Sequence, residues 1–557
     1  MHIQDIFTEQ AEYITRNDLD NWHMEHPIEK MIMKKLCQGG AKLLTGPRGC
    51  GKTTLLLRAY NDMIRKKKVF SIYVNFKTSL KIEPLYKKNN GSYWFNQWLL
   101  LKVYKGIFES IKVYEIENSM ELYFSETEID NYISRIELGI INDISEIDEL
   151  LTITILENEI KKILDANKMT SCILLLDDAA HAFSKEQQYD FFEFFRSIKS
   201  REISPKAAIY PGVTDFSASF HVGHDAEEID VWVKTMDDEY LKFMTEILQK
   251  RFPEEIFSQL KKDSNLLTLI CYASFGIPRA LLNIVRNFFK EDDKLPVDFN
   301  RKAIFDSIKK INDSSMDIYK SLEKKLPIYK RFVEEGNIIY ERMADALKQY
   351  NKRKTFERQA VEIGIKKPIP TELEKVLNFL QYAGLLMYEK EIAKGEEGRY
   401  AIYVINYGFL IEQNVFGGRQ NIKNSELATA LRIRDPHEFK KFTVESLLGT
   451  DAVNDIFPLS LPPCPKCHTP RISANTKFCS ECGEKLTAPS IYDDLVNSDI
   501  SNLPLTPYRV KKIKEESKIR TIKDILMDTE HIALRNVSGI GPYWVDRIFS
   551  YAEEYIS

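Results

Sequence analysis

Four short apolar runs punctuate the first 215 residues: Ala41–Thr45 (AKLLT), Val69–Phe76 (VFSIYVNF), Cys172–Leu176 (CILLL) and Ala207–Tyr210. Each has the length of a strand and is rich in aliphatic or β-branched residues. Helical spacing fills the intervals, beginning with a lead-in over residues 1–39 and including a long insertion between Phe76 and Cys172. Strands alternating with helices predict an α/β core, residues 1–215, in which a parallel sheet is covered by helices on both faces.

Beyond Asp215 the spacing turns helical through 216–298. FGIPRALLNIVRNFFK (275–290) predicts a helix opening at Pro278, where the missing N–H costs nothing, so this segment would form a helical lid. Residues 300–370 are charged and helically spaced, and TELEKVLNFLQYA (371–383) is an amphipathic helix stopped at Gly384. The strands LLMYEKEI and RYAIYVI follow, joined by the turn AKGEEG, so 299–454 ends in the outline of a winged helix. Residues 455–463 suggest a linker, 464–485 a compact cysteine-rich unit, 486–500 a second tether and 500–557 a small all-α unit. No internal repeat or long low-complexity tract is present.

A chain of 557 residues has room for about three to five such units. No apolar run approaches the roughly 18–20 residues a membrane helix needs, and the first residues carry no targeting pattern. We therefore expect no membrane span and a cytoplasmic location. The net charge of −4 excludes a global positive field, so any surface for nucleic acid must be local. Of eight cysteines, four are scattered (Cys37, Cys50, Cys172, Cys271) and four cluster, which argues against a secreted disulfide framework.

The most informative segment is Gly46-Pro47-Arg48-Gly49-Cys50-Gly51-Lys52-Thr53, followed by Thr54, which matches G-x-x-x-x-G-K-[ST] between a strand and a helix. Its glycines let backbone N–H groups point inward, and the following helix directs its positive end at phosphates. Lys52 would contact the β and γ phosphates of ATP and Thr53 would ligate Mg2+. Such a loop needs a carboxylate at the end of a neighbouring strand, and CILLLDD supplies Asp177 for the magnesium and Asp178 to polarise the attacking water. Taken alone, two acids after an apolar run also fit a turn or a helix cap. Asp178 is one methylene shorter than the more usual glutamate, which predicts slow hydrolysis. Thr214, in YPGVTDF, is placed to reach the γ-phosphate or is an ordinary loop threonine. Arg279, in Gly276-Ile-Pro-Arg279, either reads the γ-phosphate from the lid or serves structure.

With these motifs the sequence resembles the AAA+ ATPases of the origin-recognition initiator family and their relatives among the signal-transducing STAND ATPases, over roughly residues 20–410. The resemblance implies an ATP-dependent conformational switch, in initiators one that clamps duplex DNA. It also implies a protein partner or self-assembly through AAA+ modules. The sequence departs from the pattern in its second acid, in its long insertion and in offering no assignable trans-acting arginine.

Cys464-Pro-Lys-Cys467 and Cys479-Ser-Glu-Cys482 form C-x2-C-x11-C-x2-C, two knuckles able to present four thiolates to one tetrahedral Zn2+. They resemble a zinc ribbon, closed and therefore structural. Past Leu503, Val537-Ser-Gly539-Ile-Gly541 lies between two helical patterns and resembles a helix-hairpin-helix module. In such a module the turn amides meet a DNA phosphate, and Lys511, Lys512, Lys514, Arg535 and Arg547 would add phosphate contacts. A protein-docking role fits the same unit. At the expected wing, Lys394 and Arg399 flank Glu396 and Glu397, a poor tip for phosphate.

Overall fold

The computed structural model describes residues 7, 11–87, 90–116, 122–140, 151–178, 184–289, 299–416, 422–433, 438–449, 453–471, 473, 476, 478–486, 491–528 and 530–556. The start of the helical lead-in, Lys290 at the end of the 275–290 helix and residues 487–490 of the second tether lie outside these residues.

Five strands form the first sheet: β1 (Lys42–Thr45), β2 (Phe70–Asn75), β3 (Cys172–Asp177), β4 (Ile203–Ile209) and β5 (Glu227–Asp230). Their order is β2-β3-β4-β1-β5, and every pairing is parallel. Parallel neighbours require crossovers, and these are the helices Lys52–Lys66, Gly91–Tyr114, Ile153–Asn167 and Lys185–Ser197, among others. β3 is buried at all six positions, which is why it is apolar without alternation. The insertion helix Gly91–Tyr114 lies against β2 so closely that a Cβ on Gly106 would stand 2.8 Å from the Ile72 side chain.

Two strands differ from expectation. β4 begins at Ile203 rather than Ala207, because Pro205 and Lys206 disguise it: Pro205 pairs with Leu174, and Lys206 is fully buried. The Lys206 ammonium donates to Gln38 O at 2.7 Å and to Gly40 O, and burial pushes its pKa down to about 7. β5, sequence EEID, escaped recognition because only Ile229 faces the core. Lys35 and Lys42 hold its Glu227 at 2.5 and 2.7 Å, and charge on an edge strand discourages pairing with another chain.

The lid helices and residues 301–457 share one apolar core rather than two, running from Trp232 through Phe275, Tyr340 and Leu380 to Phe457. Residues 300–370 are not helical throughout. After the helices Arg301–Lys325 and Lys330–Asn351 comes β6 (Glu362–Lys366), with burial on both faces that its sequence EIGIK does not announce. Next come the helix Thr371–Tyr382, β7 (Leu386–Ala393), β8 (Arg399–Ile405) and, later, β9 (Lys440–Phe442), in a sheet ordered β7-β8-β6-β9. The hairpin β7–β8 is antiparallel, with an irregularity between Tyr388 and Lys390.

The last unit starts earlier than residue 500. The helix Ile491–Val496, expected as tether, buries Leu495 and Val496 against Ile513, Ile525, Val545 and Ile548 of the helices Pro507–Glu516, Ile522–Met527 and Pro542–Ile556. No helix among the described residues is long and apolar enough to cross a membrane.

Candidate functional site

The loop after β1 turns into the helix Lys52–Lys66 through Gly49 (φ 84°) and Gly51 (φ 101°), backbone that a side chain would strain. The first-turn N–H groups of that helix therefore open onto the loop. Lys52 is buried. Its Nζ donates to Gly46 O at 2.8 Å and Pro47 O at 3.0 Å and lies 3.7 Å from the centroid of the Tyr210 ring. Burial pushes its ammonium pKa below the usual lysine value.

Asp177 ends β3 level with Asn75 of β2, which sets it beside the loop. It accepts hydrogen bonds from Thr53 and, at 2.9 Å, from Tyr73 Oη. Burial first, then the neighbouring Asp178 and Glu12 charges, raise its carboxyl pKa well above the ordinary range, against the opposing pull of those two donors. Such a carboxylate gains from any cation placed beside it. Asp178 sits at φ 52°, a left-handed backbone that aspartate tolerates better than most side chains. Its Oδ1 accepts from Tyr210 Oη at 3.1 Å.

The cavity over this loop is lined by Arg48, Gly49, Cys50, Gly51, Lys52, Thr53 and Thr54 together with Asp178 and Arg279. Gly46 and Pro47 stand behind it and touch Lys52 through their carbonyls, and Asp177 reaches it through Thr53. Thr214 does not line it. Its N–H donates to Tyr210 O at 3.2 Å and its hydroxyl accepts from Tyr210 N at 3.0 Å, so it closes a turn after β4 instead of facing the loop. The residue at that strand end which faces the cavity is Tyr210, the polar-tipped aromatic closing the fourth apolar run. Glu12 and Lys77 also line the cavity. Both were missed in the sequence; the signal that could have found Lys77 is a cation just past β2, whereas nothing marks Glu12.

Gly276 (φ 70°) turns the chain into the helix Pro278–Arg286, and a Cβ there would lie 2.2 Å from Val233 O. Arg279 N donates to Gly49 O at 3.4 Å, so lid and loop touch through backbone. Gly276→Ala should destabilise the protein by roughly 3 kcal/mol, from left-handed strain plus overpacking. Thermal unfolding measures this, and an unchanged Tm would contradict the close approach. The cavity lining also includes Trp22, Met24, Phe243 and Ile247, with the Arg251 guanidinium 4.0 Å from the Trp22 ring centroid.

The four clustered cysteines are free thiols whose sulfurs all lie within 4.8 Å of one another. Cys464 Sγ to Cys482 Sγ and Cys467 Sγ to Cys479 Sγ are each 3.5 Å, near the spacing of about 3.8 Å that tetrahedral Zn–S bonds imply. The two knuckles repeat one geometry. Cys464 N bonds Thr469 O as Cys479 N bonds Glu484 O, and His468 N bonds Cys464 O as Gly483 N bonds Cys479 O. His468 and Gly483 both adopt positive φ. The donor set fits zinc.

In the last unit, the Gly539 turn lies between the helices Ile532–Arg535 and Pro542–Ile556. Lys512 Nζ donates to Ser538 O and Oγ at 2.8 Å, and Ser538 N donates to Glu516 at 2.7 Å. Lys514 is bound to Asp499 at 2.7 Å and Lys511 lies 3.7 Å from Glu515. Arg547 packs on Tyr543 and Tyr551, Arg535 is exposed, and Gly541 has open space around it. Lys512 Nζ would lie 3.5 Å from a Cβ on Gly539. At the β7–β8 tip, Arg399 pairs with Glu391 and Lys441 with Glu397, while Lys394 lies over Phe439.

A parallel sheet ordered β2-β3-β4-β1-β5, with a phosphate loop after β1 and paired acids after β3, defines a P-loop nucleotide-binding protein. Residues 119–367 match the ORC-CDC6-like family, a span that starts beyond the loop and takes in Asp177, Asp178, Thr214 and Arg279. Among solved structures, a Walker-type ATPase of Pyrococcus abyssi is similar at 14% identity and TM-score 0.37, covering 77% of this chain and 100% of that one. The ORC1 protein of Aeropyrum pernix, in complex with DNA, is similar at 12% identity and TM-score 0.28, covering 74% of this chain and 95% of that one. The CDC6P protein of Pyrobaculum aerophilum is similar at 12% identity and TM-score 0.26, covering 77% and 99%. No curated protein matches the chain at a significant level.

Proposed function

We propose that this chain is an ATP-binding, slowly hydrolysing AAA+ switch that associates with duplex DNA through its C-terminal units, in the manner of origin-recognition initiators. The observation that carries the reading is the convergence of Lys52, Thr53, Asp178 and Arg279 on one cavity at the carboxyl ends of parallel strands. Loop amides and Lys52 receive the β and γ phosphates, the lysine exchanging the Gly46 and Pro47 carbonyls for phosphate oxygens. Thr53 and Asp177, already in hydrogen-bond contact, would hold Mg2+, which offsets phosphate charge when bound. Asp178 accepts from the attacking water and Arg279 reads the γ-phosphate from the lid. The Trp22–Met24–Phe243–Ile247 wall is the apolar surface available to a base.

Duplex DNA would meet the Gly539–Gly541 turn and the Lys511, Lys512, Lys514, Arg535 and Arg547 cations. One observation favours a second reading, a STAND-like regulatory or defence ATPase whose last unit senses a protein: Lys512 and Lys514 are engaged within the unit and Glu516 takes a turn amide. Anisotropy of labelled duplex DNA with ATP, ADP or no nucleotide, across a salt series, separates the two. The initiator-like reading predicts ATP-dependent binding whose affinity falls steeply with salt. Absence of binding in every nucleotide state would sink it in favour of the second.

A further inference from the structure

We propose that the helix Pro542–Ile556 is a built-in competitor for the triphosphate: its Glu553–Glu554 pair occupies cations that would receive nucleotide phosphates, so helix docking and ATP binding exclude each other. The inference rests on the phosphate-site reading above.

Three cations from three distant segments meet one turn of this helix. Arg279, at the start of the lid helix, places Nη1 3.3 Å from Glu554 Oε1. Arg48, in the phosphate loop, donates from Nη1 and Nη2 to Glu554 O at 3.4 Å. Lys77, just past β2, places Nζ 2.9 Å from Glu553 Oε2, which also accepts from Tyr13 Oη at 3.3 Å. Arg48, Lys77, Arg279 and Glu554 all line the cavity over the loop.

The chemistry presented there is that of phosphate. Carboxylate oxygens accept from guanidinium and ammonium donors as phosphate oxygens do. The Glu554 carbonyl belongs to the last turn of its helix, where carbonyls lack intrahelical donors and the dipole adds negative character. The core of the helix's own unit takes Val545, Ile548, Ala552 and Ile556. The other end of the helix is also tied to the lid, through a hydrogen bond from Arg286 to Tyr543 Oη. The helix thus bridges loop, β2 end and lid while the cavity holds Asp178 and Glu12 as well. Triphosphate brings further negative charge to the same cations, and like charges at such spacing cannot share them. Expelling Glu553 and Glu554 frees the unit that carries the Gly539 turn. By reciprocity, a partner that draws this unit away raises ATP affinity by the factor by which ATP raises affinity for the partner.

The test uses the full chain and a fluorescent ATP analogue with Mg2+. Glu553→Gln with Glu554→Gln keeps shape and removes charge, and should tighten ATP binding about tenfold, within the usual range of such couplings. Hydrogen exchange of residues 542–556 in the unmodified chain should accelerate when ATP is added. Equal ATP affinity in both chains, or exchange that is unchanged or slowed by ATP, overturns the competition while leaving the phosphate site standing. Lys52→Ala separates the two ideas: binding lost in that variant with no gain from the glutamine pair rejects only the competition. Absence of ATP binding in both the unmodified and glutamine chains rejects the site and this inference together.

Discussion

Lys52→Ala should weaken ATP binding roughly 100-fold or more and remove turnover, with thermal unfolding little changed. A charge-assisted hydrogen bond contributes about 1.5–3 kcal/mol, so losing contacts to two phosphates removes at least about 3 kcal/mol, and each 1.4 kcal/mol is tenfold in affinity. The fold loses less. Lys52 is buried, donates to the Gly46 and Pro47 carbonyls and lies on the Tyr210 ring, and burial, which disfavours its charge, lowers its pKa. Removing that charge offsets the two lost bonds. Calorimetric titration with ATP and Mg2+ decides the point, and unmodified affinity in the variant would falsify the phosphate-loop assignment.

The second large effect concerns the cysteine knuckles. Within 464–485 the buried side chains among the described residues are Cys464 and Cys479, and Phe478 is 59% exposed. Among the described residues the segment shows no apolar core to hold it, so a metal bound by four thiolates would supply its folding free energy, of order 10 kcal/mol in small zinc units. Purified protein should carry one zinc per chain by elemental analysis, and Cys464→Ser should lose it. A chelator should open the segment to tryptic cleavage after Lys466, Arg471 and Lys485 while hydrogen exchange in β1–β4 stays slow. Full protection of the segment in metal-free protein would show that something other than zinc orders it.

Legibility followed the range of the interaction concerned. β1, β2 and β3 are largely apolar because most of their positions are buried, and burial leaves its mark residue by residue. β4 and β5 obscured theirs: Lys206 is tolerated in a central strand because its ammonium finds the Gln38 and Gly40 carbonyls, and β5 needs a single apolar residue at the sheet edge. β6 was hidden for a related reason, since Glu362–Lys366 is a strand only because β8 and β9 flank it. Thr214, which fitted either a γ-phosphate contact or an ordinary loop threonine, does not line the cavity. Side-chain direction after a strand end is set by the turn that follows, and here that turn consumes the hydroxyl and presents Tyr210.

By itself the sequence singled out Gly46 to Thr53, the acids after CILLL, the arginine behind Gly276 and Pro278, and the two cysteine knuckles as candidates. Each is a local pattern whose residues lie close together in the chain, so spacing alone brings it to notice. Only the tertiary structure decided what fills the space around that loop: Tyr210 against Lys52, Glu12 beside Asp178, and Glu553 and Glu554 on Lys77, Arg48 and Arg279. Those contacts join residues up to several hundred positions apart, and a charge pair at that separation leaves no periodicity or spacing in the chain. It exists only once separate cores have formed and docked.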